Sequence, residues 1–164
     1  MVLTSFLLHG HEDTSEELLV KVGIGAILHD MGKGSLPQEM LNKPPEKMSG
    51  EERELYRSHP SLGVGLCMPL PLSVETHHCI LFHHERENGQ GYPSGLSGEH
   101  MPHYLKALVL ANEYDHLTRT MPWRPAYKPF DALQRIEHRL EQFNPEFFKK
   151  LIKVLSSADI IEQG

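Results

Sequence analysis

The sequence predicts an all-α fold, a single-domain bundle of six or seven helices over residues 1–164. Helix-start signals recur along the chain, strand signals are nearly absent, and neither an internal repeat nor a change of composition marks a second domain. With 164 residues, of which 39% are hydrophobic, the chain is long enough to bury a core and too apolar to be disordered.

Capping signals place the first helix starts. The segments 14–17 and 49–52 both have the capping-box pattern, so we expect Thr14 and Ser49 to be N-caps. Ser73 is expected to cap the helix that leads to two adjacent histidines. Each signal precedes an apolar run with helical spacing, which predicts three amphipathic helices in the first half of the chain.

Glycine and proline indicate how these helices pack and end. Gly23 and Gly25 lie inside the first apolar run and predict close packing against a neighbour rather than a break. Gly32 is expected to be the C-cap of that helix. The pair His59-Pro60 predicts a kink or a boundary in the helix that follows the second capping box.

The second half of the chain continues the helical pattern. A long helix is expected from about residue 105, followed by C-terminal helices over residues 129–164 that begin at Pro129 and at Asn144-Pro145. These last helices carry no recognisable chemistry, so we expect them to close the bundle or to pair with a second protomer.

Charge and composition exclude several classes of protein. The formal net charge of -6 argues against a nucleic-acid polymer as the ligand, because such binders need a basic surface. No apolar run is long enough to cross a membrane, and residues 2–8 lack the features of a signal peptide. Cys67 and Cys79 have no CxxC spacing and are expected to be buried, reduced thiols. The expected location is therefore cytoplasmic.

Five residues are strong candidates for metal ligands, and each lies at a predicted helix end or at a proline-marked break. They are His29, Asp30, His59, His83 and His84. Nitrogen and oxygen ligands without cysteine suit Fe, Mn, Zn, Ni or Co. Neighbours on a helix point about 100° apart, so adjacent histidines suit two ions, or one ion at a helix end.

Two further features predict the chemistry. Asp30 can bridge two ions, and a water held between them becomes hydroxide near neutral pH, which suits attack on a phosphodiester. Lys33 follows in a glycine-flanked loop and can neutralise a phosphate oxygen. The alternative for Lys33 is a solvated charge, favourable at a helix C-terminus in any case. The glycine-rich segment 89–93 is expected to shape the site, the alternative being an ordinary turn beside surface histidines.

In order and spacing, four motifs resemble those of the HD-GYP family, a branch of the HD-domain metal-dependent phosphohydrolases. They are His29-Asp30-Met31-Gly32-Lys33, His59-Pro60-x-x-Gly63, His83-His84-Glu85-Arg86 and Gly91-Tyr92-Pro93-x-Gly95-Leu96-x-Gly98. The resemblance is strongest over residues 15–124, and the Gly-Tyr-Pro loop is the feature that distinguishes this branch.

The resemblance implies a helical HD-domain bundle with a metal centre in its core, often of iron or manganese, that hydrolyses cyclic di-GMP to linear pGpG or GMP. It implies that the five candidates named above are metal ligands and that Asp30 and Lys33 are catalytic. It also implies that Lys33, the loop residues Gly91, Tyr92 and Pro93, and Arg124 contact the substrate. A homodimer or a GGDEF-type signalling partner is compatible with it.

The chain also departs from the family pattern. Asn112 stands where the family has a ligand Asp, and an amide oxygen is a neutral, weaker ligand. Asn88 replaces an Asp, and Met121 replaces an Arg. Few residues precede the His-Asp pair, so the family's N-terminal ligand helix is absent or short here. His9 or His11 could substitute, although surface histidines are the favoured reading. We therefore expect two divalent ions rather than three.

Two functions remain open on the sequence. The first is an active cyclic di-GMP phosphodiesterase, supported by the intact ligand set and Lys33. The second is a catalytically degenerate module that binds a cyclic dinucleotide or a protein partner, as Asn88, Asn112 and Met121 suggest. A hydrolase for another nucleotide is the weaker third reading, because the Gly-Tyr-Pro loop is retained. Histidines without partner spacing, such as His103, are expected to be solvated.

Overall fold

The computed structural model describes residues 2–157. The predicted C-terminal helical region, 129–164, therefore lies outside the described residues beyond Ser157. The described α-helices are α1 Val2–Leu8, α2 Glu16–Leu28, α3 Gln38–Leu41, α4 Gly50–Arg57, α5 His59–Cys67, α6 Val74–Phe82, α7 His103–Thr118, α8 Pro129–Glu137 and α9 Pro145–Ser157. Short 3₁₀ turns occur at Met31–Ser35, Pro45–Lys47, Gly98–His100 and Leu140–Gln142. The all-α prediction is confirmed.

The described part of the chain holds more helical segments than six or seven for identifiable reasons. The first segment, α1, has no capping signal and was not predicted. The expected boundary at His59-Pro60 separates α4 from α5, because Pro60 has no backbone N–H to donate to a continuous helical ladder of hydrogen bonds. Pro60 instead occupies the first turn of α5, where a missing N–H costs little.

The capping predictions are confirmed at two helices and wrong at one. Ser49 and Glu52 form a reciprocal capping box, and the Ser73 hydroxyl accepts the N–H of Thr76. At α2 the N-cap is Ser15 rather than Thr14, because the Ser15 hydroxyl is the group that accepts the N–H of Leu18. The Thr14 hydroxyl points elsewhere and contacts the start of α7.

Two of the three predicted glycines, Gly25 and Gly32, allow elements to approach closely, and neither of them ends a helix. A Cβ at Gly25 would lie 2.4 Å from Cys79 Cβ, so α2 and α6 approach closely there, as predicted. A Cβ at Gly23 would have no neighbour within 4 Å, so the packing role predicted for Gly23 is wrong. Gly32 is not a C-cap: it lies in the 3₁₀ turn, where a Cβ would be 1.9 Å from the His59 carbonyl oxygen.

The main hydrophobic core surrounds α7, which is buried along most of its length by α1, α6, α8 and α9. Cys67 and Cys79 are both buried free thiols, as predicted. Within residues 2–157, no helix combines the length and apolar character needed to span a membrane. Helix α6 packs against both α2 and α5, and α5 packs against the turn Met31–Ser35 after α2, which leaves the ends of these helices together at one side of the core.

Candidate metal centre

The ends of three helices bring four of the predicted ligands into one cluster. Asp30 follows α2, His59 begins α5, and His83 and His84 follow α6. Each of these four side chains offers one ligand atom, and the four atoms lie within 4.8 Å of one another. His59 and His83 are fully buried, so the cluster lies inside the protein rather than on a helix face.

The distances within the cluster are short. His59 Nε2 and His83 Nε2 are 3.1 Å apart, and both lie close to Asp30 Oδ1, at 3.5 and 3.6 Å. The fifth predicted ligand, His29, places its Nε2 3.4 Å from the other carboxylate oxygen, Oδ2. Asp30 therefore faces imidazoles with both oxygens, the arrangement expected of a bridging carboxylate.

Backbone carbonyls fix the orientation of three of these rings. Nδ1 of His29 lies 2.9 Å from the Ala26 oxygen, and His59 and His83 make the same contact with the carbonyls three residues before them, at 2.7 and 2.8 Å. A carbonyl can only accept, so Nδ1 carries the proton and donates it. In the neutral rings this leaves the Nε2 lone pair directed into the cluster, which is the ligating tautomer.

This donor set fits a divalent metal ion. Three buried atoms of this group have no hydrogen-bond partner among the described residues: His29 Nε2, Asp30 Oδ1 and His84 Nε2. Lone pairs that face one another at about 3 Å repel unless a cation lies between them, and buried polar atoms without partners are costly. Imidazole nitrogens and a carboxylate are ligands typical of Fe, Mn, Zn, Ni or Co.

The electrostatics of the cluster favour the ligating protonation states. Burial lowers the pKa of His83 to about 4, and burial also holds the pKa of His84 well below its usual value. Both rings are therefore neutral at pH 7. Burial opposes ionisation of Asp30, but contacts with His29, His59 and His83 outweigh it and lower the pKa of that carboxyl.

Glu85, which the sequence reasoning did not single out, anchors the glycine-rich loop. Its side chain is fully buried, and the carboxylate accepts the N–H of Ser94 at 2.7 Å and the N–H of Leu96 at 2.9 Å. Glu85 directly follows His83 and His84, so one short segment carries both of these candidate metal ligands and the anchor of the loop. The signals in the sequence were its place in the motif His83-His84-Glu85-Arg86 and its position beside an apolar helix end, neither of which indicates an anchor for the loop.

The loop lies directly against the ligands. A Cβ at Gly91 would be 2.4 Å from Glu85 Cα, so only glycine permits this approach. Tyr92 stacks on the ring of His84, with centroids 4.6 Å apart and planes 17° apart, and it precedes Pro93 through a cis peptide bond. The loop is part of the wall of the site, as the sequence predicted, rather than a turn remote from it.

A cleft of about 660 Å³ opens over the metal cluster. Asp30, His84 and Tyr92 line it, together with Trp123 and Met121. Its cationic lining residues are Lys33, Arg53, Arg57, Arg86 and Arg119. The same lining holds four carboxylates, those of Asp30, Glu46, Glu113 and Asp115, so the cationic groups are in slight excess, which favours an anionic ligand although the chain as a whole is acidic.

Lys33 is held at the floor of this cleft. Its ammonium lies 2.7 Å from Asp30 Oδ2, and its side chain is 27% exposed. Burial alone would lower the pKa of Lys33, but the Asp30 carboxylate raises it, so the ammonium stays charged. The reading of Lys33 as a merely solvated surface charge does not describe this position.

Arg124 is not brought to the cleft. Its guanidinium donates to the carbonyl oxygens of Leu117 and Pro125, both at 3.0 Å, and to that of His116, and it stacks on Tyr127. These bonds hold the segment after α7 against the end of that helix. The predicted contact between Arg124 and substrate therefore finds no support in its placement, since its donors are occupied by carbonyls.

The family departures have structural counterparts. Asn112 lines the cleft together with Asp30, so the amide does lie at the site. Asn88 accepts the N–H of Gln90 with its own side chain and serves the loop. Asp115 is 56% exposed and pairs with Arg119. His11 does not join the metal cluster and belongs to a separate group.

Comparison with known proteins identifies the family. The family model described as HD domain matches residues 8–146, which is most of the chain. The chain belongs to the HD domain family. Within this HD domain, the residues of the family's name are His29 and Asp30, of which Asp30 lines the cleft and His29 contacts the Asp30 carboxylate from the protein side.

Relatives and a solved structure agree with this assignment. A cyclic di-GMP phosphodiesterase of Pseudomonas aeruginosa, PA4108, is 30% identical over 85% of this chain and 34% of its own length. A 3'3'-cGAMP-specific phosphodiesterase of Vibrio cholerae is 29% identical over 80% of this chain and 28% of its own length. The solved structure of Bd1817, a HDG"Y"P protein from Bdellovibrio bacteriovorus, superimposes with a TM-score of 0.75 at 25% identity, covering 94% of this chain and 51% of that one.

The HD-GYP resemblance drawn from the sequence is thereby confirmed. The HD domain described here spans about a third of the length of the curated relatives it matches and about half of the matched structure. Its relatives are named as cyclic dinucleotide phosphodiesterases, which supports a hydrolase at the level of the family.

Proposed function

We propose that this HD domain is a metal-dependent phosphodiesterase that hydrolyses cyclic di-GMP to linear pGpG or GMP. The observation that carries the proposal is the convergence of Asp30 with His59, His83 and His84 beside a cleft that Asp30 and His84 line together with Lys33 and four arginines. A phosphodiester is anionic and resistant to attack, so its hydrolysis needs both a neutralising surface and an activated nucleophile.

The ligands would hold two divalent ions, with iron or manganese as the first candidates. Ions of this kind lower the pKa of a bound water to about 7 and offset charge on the phosphate, which supplies the nucleophile at neutral pH. His29, Asp30, His59, His83 and His84 are the protein groups that would hold them, with Asn112 as a weaker neutral ligand.

The other residues of the cleft bind and orient the substrate. Lys33 is close enough to Asp30 to donate a hydrogen bond to a phosphate oxygen seated at the cluster, and its charge offsets the charge that develops there. Tyr92 forms part of the wall and excludes water beside His84, and its loop neighbours Gly91 and Pro93 hold it there. Trp123 lines the same cleft, where its ring is available to stack on a guanine.

A turnover assay tests this function. The protein is loaded with Mn²⁺ or Fe²⁺ under reducing conditions, its metal content is measured, and the products of cyclic di-GMP are separated by chromatography. We expect linear products from the wild type and at least a 100-fold slower reaction from Lys33→Met at unchanged metal content, because one charge-stabilising donor is typically worth about 10²–10³ in rate. Full metal occupancy without turnover would contradict the proposal.

Two observations favour a second function, that of a cyclic-dinucleotide-binding module without catalysis. The amide of Asn112 stands at the cleft in place of a carboxylate, and Arg124 is engaged with backbone carbonyls. A module of this kind would bind cyclic di-GMP, with a protein partner reading the bound state, and would leave the ligand intact. Equilibrium binding measured beside the turnover assay separates the two functions.

The choice of dinucleotide is tested in the same experiment. One relative is named for cyclic di-GMP and another for 3'3'-cGAMP, so both compounds are offered to the loaded protein. We expect cyclic di-GMP to be hydrolysed with the higher kcat/KM, and a reversed preference would assign the domain to the other substrate.

A further inference from the structure

A second group of potential ligands lies apart from the metal centre, beside the first residue of α7. The loop between α1 and α2 brings His11 and Asp13 against His103, the first residue of α7. One ligand atom from each of these three side chains lies within 4.8 Å of the other two. None of them belongs to the cluster around Asp30.

The backbone already holds these residues together. The loop is closed by hydrogen bonds from the His11 N–H to the Leu8 oxygen and from the Thr14 N–H to the His11 oxygen, both 3.0 Å long. The ring of His11 stacks on that of His103, with centroids 4.4 Å apart and planes 3° apart. Most of the entropy cost of assembling a site has therefore been met by folding.

Thr14 orients the ring of His103. Its hydroxyl lies 3.1 Å from His103 Nε2, which leaves Nδ1 as the nitrogen available to a ligand. This contact explains why Thr14 does not cap α2, a role that Ser15 takes instead. A second group that fixes one ring nitrogen while the other binds an ion is the usual arrangement around metal-ligating histidines.

We propose that His11, Asp13 and His103 form a second metal site, which takes a single zinc or similar divalent transition ion. Two imidazoles and a carboxylate, with water as a fourth ligand, are a donor set suited to zinc. The ion would tie the loop before α2 to the start of α7, the two helices whose residues flank the main centre.

The site requires a small closure of side chains. Ligand atoms around tetrahedral zinc lie about 3.4 Å apart, given bonds of about 2.0–2.2 Å. Because parallel rings cannot both point at one ion, one ring has to turn about its χ2. His11 can make this turn, since its Nδ1 has only a long contact of 3.4 Å with the Asp13 N–H, and the Asp13 side chain is exposed.

Zinc counting tests the site. Metal-free wild type, His11→Gln, Asp13→Asn and His103→Gln are equilibrated with micromolar zinc, desalted and analysed for zinc per chain. We expect each variant to bind one zinc fewer than the wild type. His100→Gln, a substitution of an exposed histidine near the same helix start, is the matched control and should bind as many as the wild type. Asp13→Asn keeps the ring stack, so it remains informative if His103→Gln folds poorly.

A background variant separates this site from the main centre. In Asp30→Asn the zinc that remains should be lost on adding His11→Gln, whereas failure of the main centre alone would leave this zinc in place. Thr14→Val should weaken the remaining site about 10- to 100-fold, as removal of an orienting partner does elsewhere. Unchanged zinc content in both His11→Gln and Asp13→Asn would overturn the proposal.

Discussion

Residues 29–97, the first half, hold the candidate metal ligands, and residues 103–157, the second half, close the bundle. The two halves are built in different ways. Between residues 29 and 97, the fully buried side chains include His59, His83 and Glu85, and each is fixed by bonds to backbone groups. Between residues 103 and 157, the fully buried side chains are apolar, such as Leu105 and Leu151. Hydrogen bonds to the backbone therefore fix the polar side chains of the first half, and apolar burial stabilises the second half.

The two halves therefore determine different properties, the placement of ligand atoms in the first and the stability of the bundle in the second. Hydrophobic burial is non-directional and tolerates small shifts, so it stabilises a bundle without placing atoms to a few tenths of an ångström. Hydrogen bonds from ring nitrogens to carbonyls are directional, and they place donor atoms. We therefore expect substitutions of the candidate ligands in the first half to change metal binding and turnover, and substitutions of the buried apolar side chains in the second half to change stability alone.

The largest effect is expected from His59→Ala. This change removes a fully buried ligand and leaves Asp30 and His83 without their shared neighbour, so metal affinity should fall by more than about 1,000-fold, beyond the roughly 10- to 100-fold typical of supporting groups. Metal content after dialysis and the rate of cyclic di-GMP hydrolysis measure it. Retention of the full metal content would remove His59 from the ligand set.

Leu151→Ala examines the other half. Leu151 on α9 is fully buried in the main core, so the substitution should lower the free energy of unfolding by about 2–5 kcal/mol, the range seen for leucine deletions in packed interiors. Urea denaturation measures this loss. Metal content per folded chain should be unchanged, and a parallel loss of metal would show that the two halves are not separable.

Glu85→Gln should lower the free energy of unfolding by about 2–3 kcal/mol, because each carboxylate oxygen accepts one backbone N–H in a fully buried position, whereas the amide keeps one accepting oxygen and sets an NH₂ group against the other N–H. We also expect faster proteolysis at the glycine-rich loop. Glu99→Gln, at an exposed position after the same loop, is the control. Equal stability of the two variants would exclude the anchoring role.

Asn112→Asp should tighten metal binding by about tenfold, since a charged oxygen replaces a neutral one at the wall of the cleft. Metal retention against a chelator measures the change. A rise in turnover alongside retention would favour the degenerate-module function for the wild type, whereas retention without a change in rate would favour an enzyme that works with the amide.

The smallest effect is expected from Arg124→Gln. Loss of its bonds to the carbonyls after α7 should lower the free energy of unfolding by about 1 kcal/mol, because the guanidinium is partly open to water. The KM for cyclic di-GMP should stay within about twofold of the wild type, since Arg124 does not line the cleft. A severalfold rise in KM would restore the predicted contact with substrate.

Much of the fold could be predicted because its signals are local. Ser49 and Ser73 cap helices through side chains and backbone groups within three residues, so the sequence pattern is sufficient. The shift from Thr14 to Ser15 could not be predicted, because it depends on a contact between Thr14 and His103, far away in the chain. Competition of this kind is decided only when distant elements meet.

The candidate site divides in the same way. The cluster of Asp30 with His59, His83 and His84 was expected from residue type and from the resemblance to a family. The anchoring by Glu85 and the engagement of Arg124 with carbonyls were not, since a charged residue looks the same in a sequence whether it faces substrate or backbone. Only the folded chain distinguishes a charge that serves the reaction from one that serves the scaffold.

The contact at Gly32 has a consequence for how such a protein can change over time. The space where a Cβ would lie is filled by the main chain of α5, at the His59 carbonyl, so the interval between Asp30 and His59 is set by two backbones in touch. Swapping core side chains elsewhere leaves that spacing untouched, whereas adding one methyl group at Gly32 would force the pair apart. The surrounding bundle is therefore free to diversify while this single position stays closed to variation.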